Sequence, residues 1–223
     1  YRQSINKVPR SSQRGLWLSG RRYGIPYTRH DWLWIDPLIF PEEEPICLRA
    51  IELALKKGVH RFVLNALWQT ALFTSVKNLS LWAGPFCNVT NSETVACLKS
   101  MGYSGVIVSP ELDKQTFLTL PKSSSLPLGV VIHGNWPLGI SRIISPDIRI
   151  GQPFSSPMGE SAWVAKFNDN YHLFPNWQLD LTPKINDLKK AGYTLFVNMH
   201  ETVPRSMSMK NRPGLWNWDL NLL

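Results

Sequence analysis

Three times in this chain a stretch with helical character ends on a glycine and a short apolar run follows. Gly58 precedes Arg61-Phe-Val-Leu-Asn-Ala66, Gly102 precedes Val106-Ile-Val108, and Gly192 precedes Thr194-Leu-Phe-Val197. Glycine just past a helix end accepts the left-handed backbone that closes the last turn. An uninterrupted apolar run of this length fits a strand buried on both faces. Strands alternating with capped helices predict an α/β fold with mostly parallel strands and helices outside the sheet. Periodicity alone leaves barrel and open sheet both standing.

The helix signals carry chemical detail. Glu42, Glu43, Glu44 and Pro45 open the first helix and Lys56 and Lys57 close it, the charge order that a helix dipole favours. Asn91 is placed to cap a helix whose inner face holds Val95, Leu98 and Met101, and Asp113 to cap a short helix through Leu118. Thr182-Pro183 opens the helix that runs to Ala191. Leu79–Ala83, Leu128–Ile132 and Tyr171–Phe174 complete the strand series. Two segments break the rhythm. Ser141 to Gly159, with Pro146, Pro153 and Pro157, reads as a long excursion over a strand end. Pro204 to Leu223 reads as a Trp-rich tail that packs back on the domain.

The 223 residues, 43% of them hydrophobic, suit one large domain, residues 31–203, between an arm and that tail. No apolar run is long enough for a membrane helix, and no charged start leads into a signal-peptide core. The chain starts at Tyr1, which leaves room for sequence upstream. Of the net charge of +8, residues 1–30 carry seven cations (Arg2, Lys7, Arg10, Arg14, Arg21, Arg22, Arg29) and no acid. That basic arm could neutralise the phosphates of an RNA, or be a solvated linker. Three cysteines, Cys47, Cys87 and Cys97, make neither a disulfide framework nor a metal-ligand spacing, so the expectation is a cytoplasmic protein without metal. Cys47 and Cys97 sit at helical positions that suggest buried packing.

Polar residues cluster where the predicted strands end: Asn65; Cys87, Asn88 and Asn91; Ser109 and Glu111; His133 and Asn135; Asn176 and Asp180; His200 and Glu201. In parallel β/α proteins such residues share one rim, the usual seat of chemistry. Glu111 and His133 are the acid–base candidates, and Asn88, Asn91, Ser109 and Arg142 are candidates for holding a substrate. Helix capping is the competing role for Asn91, turn formation for Asn88 and Asp180. Phosphate-loop, dinucleotide, zinc-protease and serine-elbow motifs are all absent. A thiol nucleophile would have to be Cys87, with His133 or His200 as its base.

The run Asn88-x-x-Asn91, the helix to Gly102 and Val108-Ser-Pro-Glu-Leu112 resemble the central motif of the collagenase-like peptidase family U-32. His133-Gly134 with Pro137-Leu138 and Ser141-Arg142 is similar to that family's next motif, and the block from Leu181 to Phe196 to its return to the barrel. The likeness covers roughly residues 60–200. It implies a TIM-type β/α barrel or its carboxyl-terminal part, and a hydrolase acting on peptide-like substrates. Other members of that family hydroxylate RNA bases or a quinone precursor, several through an iron–sulfur cluster held by cysteines that follow the His-Gly motif. No cysteine follows Cys97 here, which speaks against a cluster and its chemistry. The alternatives are an RNA-binding accessory protein using the arm, and a non-catalytic subunit that binds a protein partner.

Overall fold

In the computed structural model, which describes residues 12–18, 27–73, 78–157, 159–211 and Trp218, the glycine-stopped rhythm is an α/β fold. The strands β1 (Gly15–Leu18) and β2 (Trp32–Ile35) come first, then a 3-10 turn at Pro41–Glu43 and helix α1 (Glu44–Lys56). They are followed by β3 (Arg61–Leu64), β4 (Ser80–Ala83), α2 (Ser92–Ser100), β5 (Gly105–Ile107), α3 (Lys114–Ser123) and β6 (Leu128–Gly134). A small sheet is inserted here: β7 (Gly139–Ser141), β8 (Pro153–Ser155), β9 (Ser161–Phe167) and β10 (Asn170–Pro175). The chain then returns through β11 (Leu179–Asp180), α4 (Ile185–Ala191) and β12 (Leu195–Asn198).

Seven strands are parallel, in the order β1-β2-β3-β4-β5-β6 with β12 on β6, and they curl into a half-barrel. The two-residue β11 runs antiparallel against the end of β6. The apolar runs behave as two-faced strands: Phe62, Val63, Leu64, Val106, Ile107 and Val130 are fully buried in the main core. Asn91 caps α2 by accepting from the Thr94 N–H at 2.8 Å, and Asp113 caps α3 through the Thr116 N–H at 3.0 Å. Gly58, Gly102 and Gly192 all take positive φ after their helices, where a Cβ is strained.

Several expectations need correction. Tyr171–Phe174 does not belong to the parallel series. It lies in β10, at the centre of the antiparallel β7-β10-β9-β8 sheet, where it pairs with β9 and β7. The segment 141–159 is no bare excursion, because it holds the end of β7 and all of β8. Inside the stretch read as a basic arm, Gly15–Leu18 is the edge strand of the main sheet. Arg14 is fixed to Asp31 by two hydrogen bonds, Nε–Oδ1 at 3.0 Å and Nη2–Oδ2 at 2.6 Å. Arg2, Lys7, Arg10, Arg21 and Arg22 lie outside the described residues. Cys97 is exposed rather than packed, while Cys47 is buried. In the tail, Trp218 is buried and stacks on Phe117, ring centroids 5.9 Å apart; Trp216 lies outside the described residues.

Candidate functional site at the carboxyl-end rim

Several of the parallel strands deliver a polar residue at the carboxyl end, and the amides among these are used in building the rim. Asn65, after β3, donates from Nδ2 to the Ile35 carbonyl at 2.8 Å, and its N–H is accepted by Gln69 Oε1 at 2.9 Å. Gln69 Nε2 reaches the Asp36 carbonyl at 2.7 Å. These two buried amides stitch the end of β2 to the end of β3, supplying partners for backbone that has left its ladder. Asn135, after β6, donates to the Glu201 carbonyl at 3.2 Å.

The residues singled out from sequence separate into groups. Asn91 is an exposed helix cap, and Asn88 is an exposed turn residue with φ of 52° that ends the short helical turn at Pro85–Cys87. Ser109 is buried, and its Oγ accepts the Glu111 N–H at 3.2 Å, so these two share one loop with Glu111 facing solvent. His133 is half-buried on β6, opposite Asp180 of β11 and Asn198 of β12. The β12 register slips there: Val197 faces Val131 but Asn198 faces His133, leaving Ile132 as an extra residue. Bulges of this kind re-aim side chains at strand ends. Burial holds His200 below the usual histidine range. Asn176 closes β10 of the antiparallel sheet and Asp180 lies in β11, so neither ends a parallel strand as expected. Cys87 donates its thiol to the Leu64 carbonyl at 3.2 Å, and burial pushes its pKa up to about 11. A thiol that keeps its proton at neutral pH is a poor nucleophile, which weighs against Cys87 as the centre of a thiol protease.

The middle of the curl is filled. Trp17 of β1 packs against Trp34 of β2 at 5.4 Å and against Phe86, beyond β4, at 6.2 Å. Phe86 in turn stacks on Trp136, beyond β6, at 4.5 Å and 26°. An aromatic row therefore crosses the concave face where a closed barrel would place its catalytic groups.

The open space lies to one side. A cleft of about 150 Å³ sits beyond the ends of β1 and β2, between them and the antiparallel sheet. Its apolar wall is Leu18, Leu38, Ile39 and Ile46, with the Cys47 thiol beside them. Its polar wall comes from two distant parts of the chain. Asp36 accepts from Asn168 Nδ2 at 2.9 Å, and Asn170 Nδ2 donates to the Leu38 carbonyl at 2.8 Å. Arg142 Nη1 donates to Glu43 Oε1 and to Asn170 Oδ1, both at 3.1 Å, and its guanidinium lies over the Phe40 ring at 4.0 Å. Glu43 is itself held by the Phe40 N–H at 2.9 Å. Burial, reinforced by the negative charges of Asp36, Glu44 and Glu43, pushes the Cys47 thiol up to about 12.

Of the residues expected to hold substrate, Arg142 alone lines this cleft. Asp36, Glu43, Asn168 and Asn170 were missed. Asp36 follows the apolar run Trp32–Ile35 just as Asn65 follows β3, so the same strand-end rule could have found it. Asn168-Asp-Asn170 is a turn sequence between two runs of strand character, a hairpin signal. Among the described residues, no group of three or more His, Cys, Asp or Glu side chains is arranged to hold a metal ion. No described helix is long and apolar enough to cross a membrane. No protein-family model, curated protein or solved structure matches the chain.

Proposed function

We propose that this chain is a cytoplasmic protein similar to the collagenase-like peptidase family U-32, its half-barrel being the carboxyl-terminal part of a TIM-type β/α barrel, that acts as a hydrolase on peptide-like substrates and holds one substrate residue in the cleft beside Arg142. The observation that carries the reading is the two-sided lining of that cleft. Leu18, Leu38, Ile39 and Ile46 offer a surface for an apolar side chain, while Asp36 and Asn168 line the other side with a carboxylate and an amide that suit a peptide backbone. Its volume of about 150 Å³ matches a cavity that takes a benzene-sized group, well short of the 300 Å³ and more of a typical ligand pocket. One residue or one chain end fits; an extended segment does not. The position beyond strand carboxyl ends is where ligands of parallel sheets usually bind. In this reading Glu111 and His133, which lie on the rim outside the cleft, keep the acid–base roles and act on the part of the substrate that extends from the cleft along the rim, with Ser109 fixing the Glu111 loop.

The test is incubation with a mixture of short peptides, read by mass spectrometry for new termini, alongside titration of single peptides by calorimetry. Wild type should generate new termini, Glu111→Gln and His133→Gln should slow this at least tenfold, and Asp36→Asn should raise KM more than it lowers kcat. Binding without cleavage would replace the hydrolase with a peptide-binding subunit. Absence of both at millimolar peptide would refute the reading. The RNA alternative would have to draw on cations other than Arg14, whose guanidinium is committed to Asp31.

A further inference from the structure

We infer that the antiparallel sheet is a lid on the cleft, latched shut by Arg142; this rests on the cleft being the ligand site proposed above. The lid has a core of its own. Trp163 and Phe174 stack at 4.5 Å and bury with Met207, and Val203 and Met209 pack against them, a cluster separate from the main core. Main-chain bonds show where the chain passes from one body to the other. Leu138 N–H donates to Leu173 of the lid, whereas Trp136 is stacked in the half-barrel, so the outward crossing lies at Pro137. Asn176 N–H still bonds Ser161 of the lid, whereas Leu179 pairs with Gly134, so the return crossing lies at Trp177–Gln178. The tail crosses again between Met199 of the main core and Val203 of the lid cluster, and Lys210 N–H bonds Asn176, so the segment from Val203 to Lys210 belongs to the lid.

Along the cleft, the two bodies meet through polar groups. Asn168 to Asp36, Asn170 to Leu38 and Arg142 to Glu43 all land on one eight-residue segment, and the Phe40 ring at this seam is covered by the guanidinium. A polar contact can be exchanged for one to water at small net cost, while an apolar seam cannot, so this border opens more readily than either core. Asn168 has φ of 54° in the tight turn between β9 and β10, so it and Asn170 are carried on the hairpin of the lid. The cleft walls divide the same way. Leu18, Asp36, Leu38, Ile39 and Ile46 belong to the half-barrel; Arg142, Asn168, Asp169 and Asn170 belong to the lid. Swinging the lid therefore enlarges the cleft, which lets a ligand larger than its resting volume enter. Arg142 is a positioning residue here, acting through Glu43 and Phe40.

Cys47 supplies the readout, because its buried thiol lines the cleft. In full-length protein with Cys87 and Cys97 replaced by serine, the rate at which a small thiol reagent labels Cys47 reports opening. Arg142→Ala should raise that rate at least about tenfold without denaturant, the effect of losing its charge-assisted contact to Glu43 together with the weaker ones to Glu42 and Phe40. Arg142→Lys and Glu43→Gln should raise it by less, and the rates should depend weakly on urea, as local opening does. Leu188→Ala, which loosens the main core at α4, should alter only labelling that depends steeply on urea. Wild-type rates in all three latch variants, or labelling that tracks global unfolding throughout, would overturn the lid. If Arg142→Ala does not fold, the other two variants decide. Gated labelling in a protein that binds no peptide would leave the lid standing and sink the peptide reading.

Discussion

Removing the carboxylate of Asp31 should loosen the first strand of the sheet by a calculable amount. The Asp31 side chain is 7% exposed and that of Arg14, beside β1, is 25% exposed. Arg14 gives it two charge-assisted hydrogen bonds, and the Thr28 N–H adds a third at 2.6 Å. Breaking a fully buried pair costs about 3–5 kcal/mol, mostly through the charge left behind, whereas an exposed pair is worth at most about 1 kcal/mol. Arg14 can rehydrate, so Asp31→Ala should cost about 2–3 kcal/mol, between those limits. Urea unfolding at pH 7 measures the loss, and the cycle Arg14→Ala, Asp31→Ala and the double variant should give a coupling of about 1–2 kcal/mol. Burial acts to raise the Asp31 pKa, but the hydrogen bonds from Arg14 and Thr28 and the Arg14 charge outweigh it, so the folded value lies below the unfolded one. Stability from the carboxylate is therefore complete above the unfolded pKa of about 4 and lost as pH falls through the lower folded value. The gap between wild type and Asp31→Asn should hold constant from pH 5 to 7 and shrink in stronger acid. Additive single variants, or a gap that persists unchanged to pH 2, would refute the assignment of Arg14 and Asp31 as the anchor of β1.

Gly84→Ala should cost about 1–3 kcal/mol by thermal or urea unfolding, because a Cβ there would overlap Asn65 Oδ1 and press on Val63; a neutral result would show that Asn65 is free to move and does not stitch the rim. Of the two thiols outside the cleft, Cys97 should be alkylated rapidly at pH 7.5 and Cys87 hardly at all, since burial holds the latter's pKa at about 11. Peptide mapping after a timed pulse reads both, and rapid modification of Cys87 would restore it as a nucleophile candidate.

What the sequence disclosed depended on how local the signal was. The glycines after α1, α2 and α4 and the caps Asn91 and Asp113 act within four residues of themselves, and they mark the helices correctly. The runs at β3 to β6 are apolar because both of their faces are covered. Tyr171–Phe174 looks the same as a string of letters, yet it pairs with β7 and β9, Tyr171 between Ser141 and Lys166 on antiparallel neighbours, and no short window carries that pairing. β1 was hidden by its setting, a four-residue edge strand among arginines whose charge dominates the composition. The rim was legible as a set of strand ends, and the cleft was not. Asn168 and Asp36 are 132 positions apart in the chain, and their contact exists only once a hairpin inserted after β6 folds back over β2.

The row of rings from Trp17 through Phe86 to Trp136 joins segments that share no hydrogen-bonded edge, since β1, β4 and β6 are never neighbours in the sheet. Ladder hydrogen bonds set the spacing between adjacent strands but leave the bend of the whole ribbon soft. Rings spanning the hollow side take up part of that freedom, because they hold β1 at a set distance from the segments that follow β4 and β6. Thinning Phe86 to leucine would tighten the arc, and with it the angle at which β1 and β2 present their ends to the small sheet.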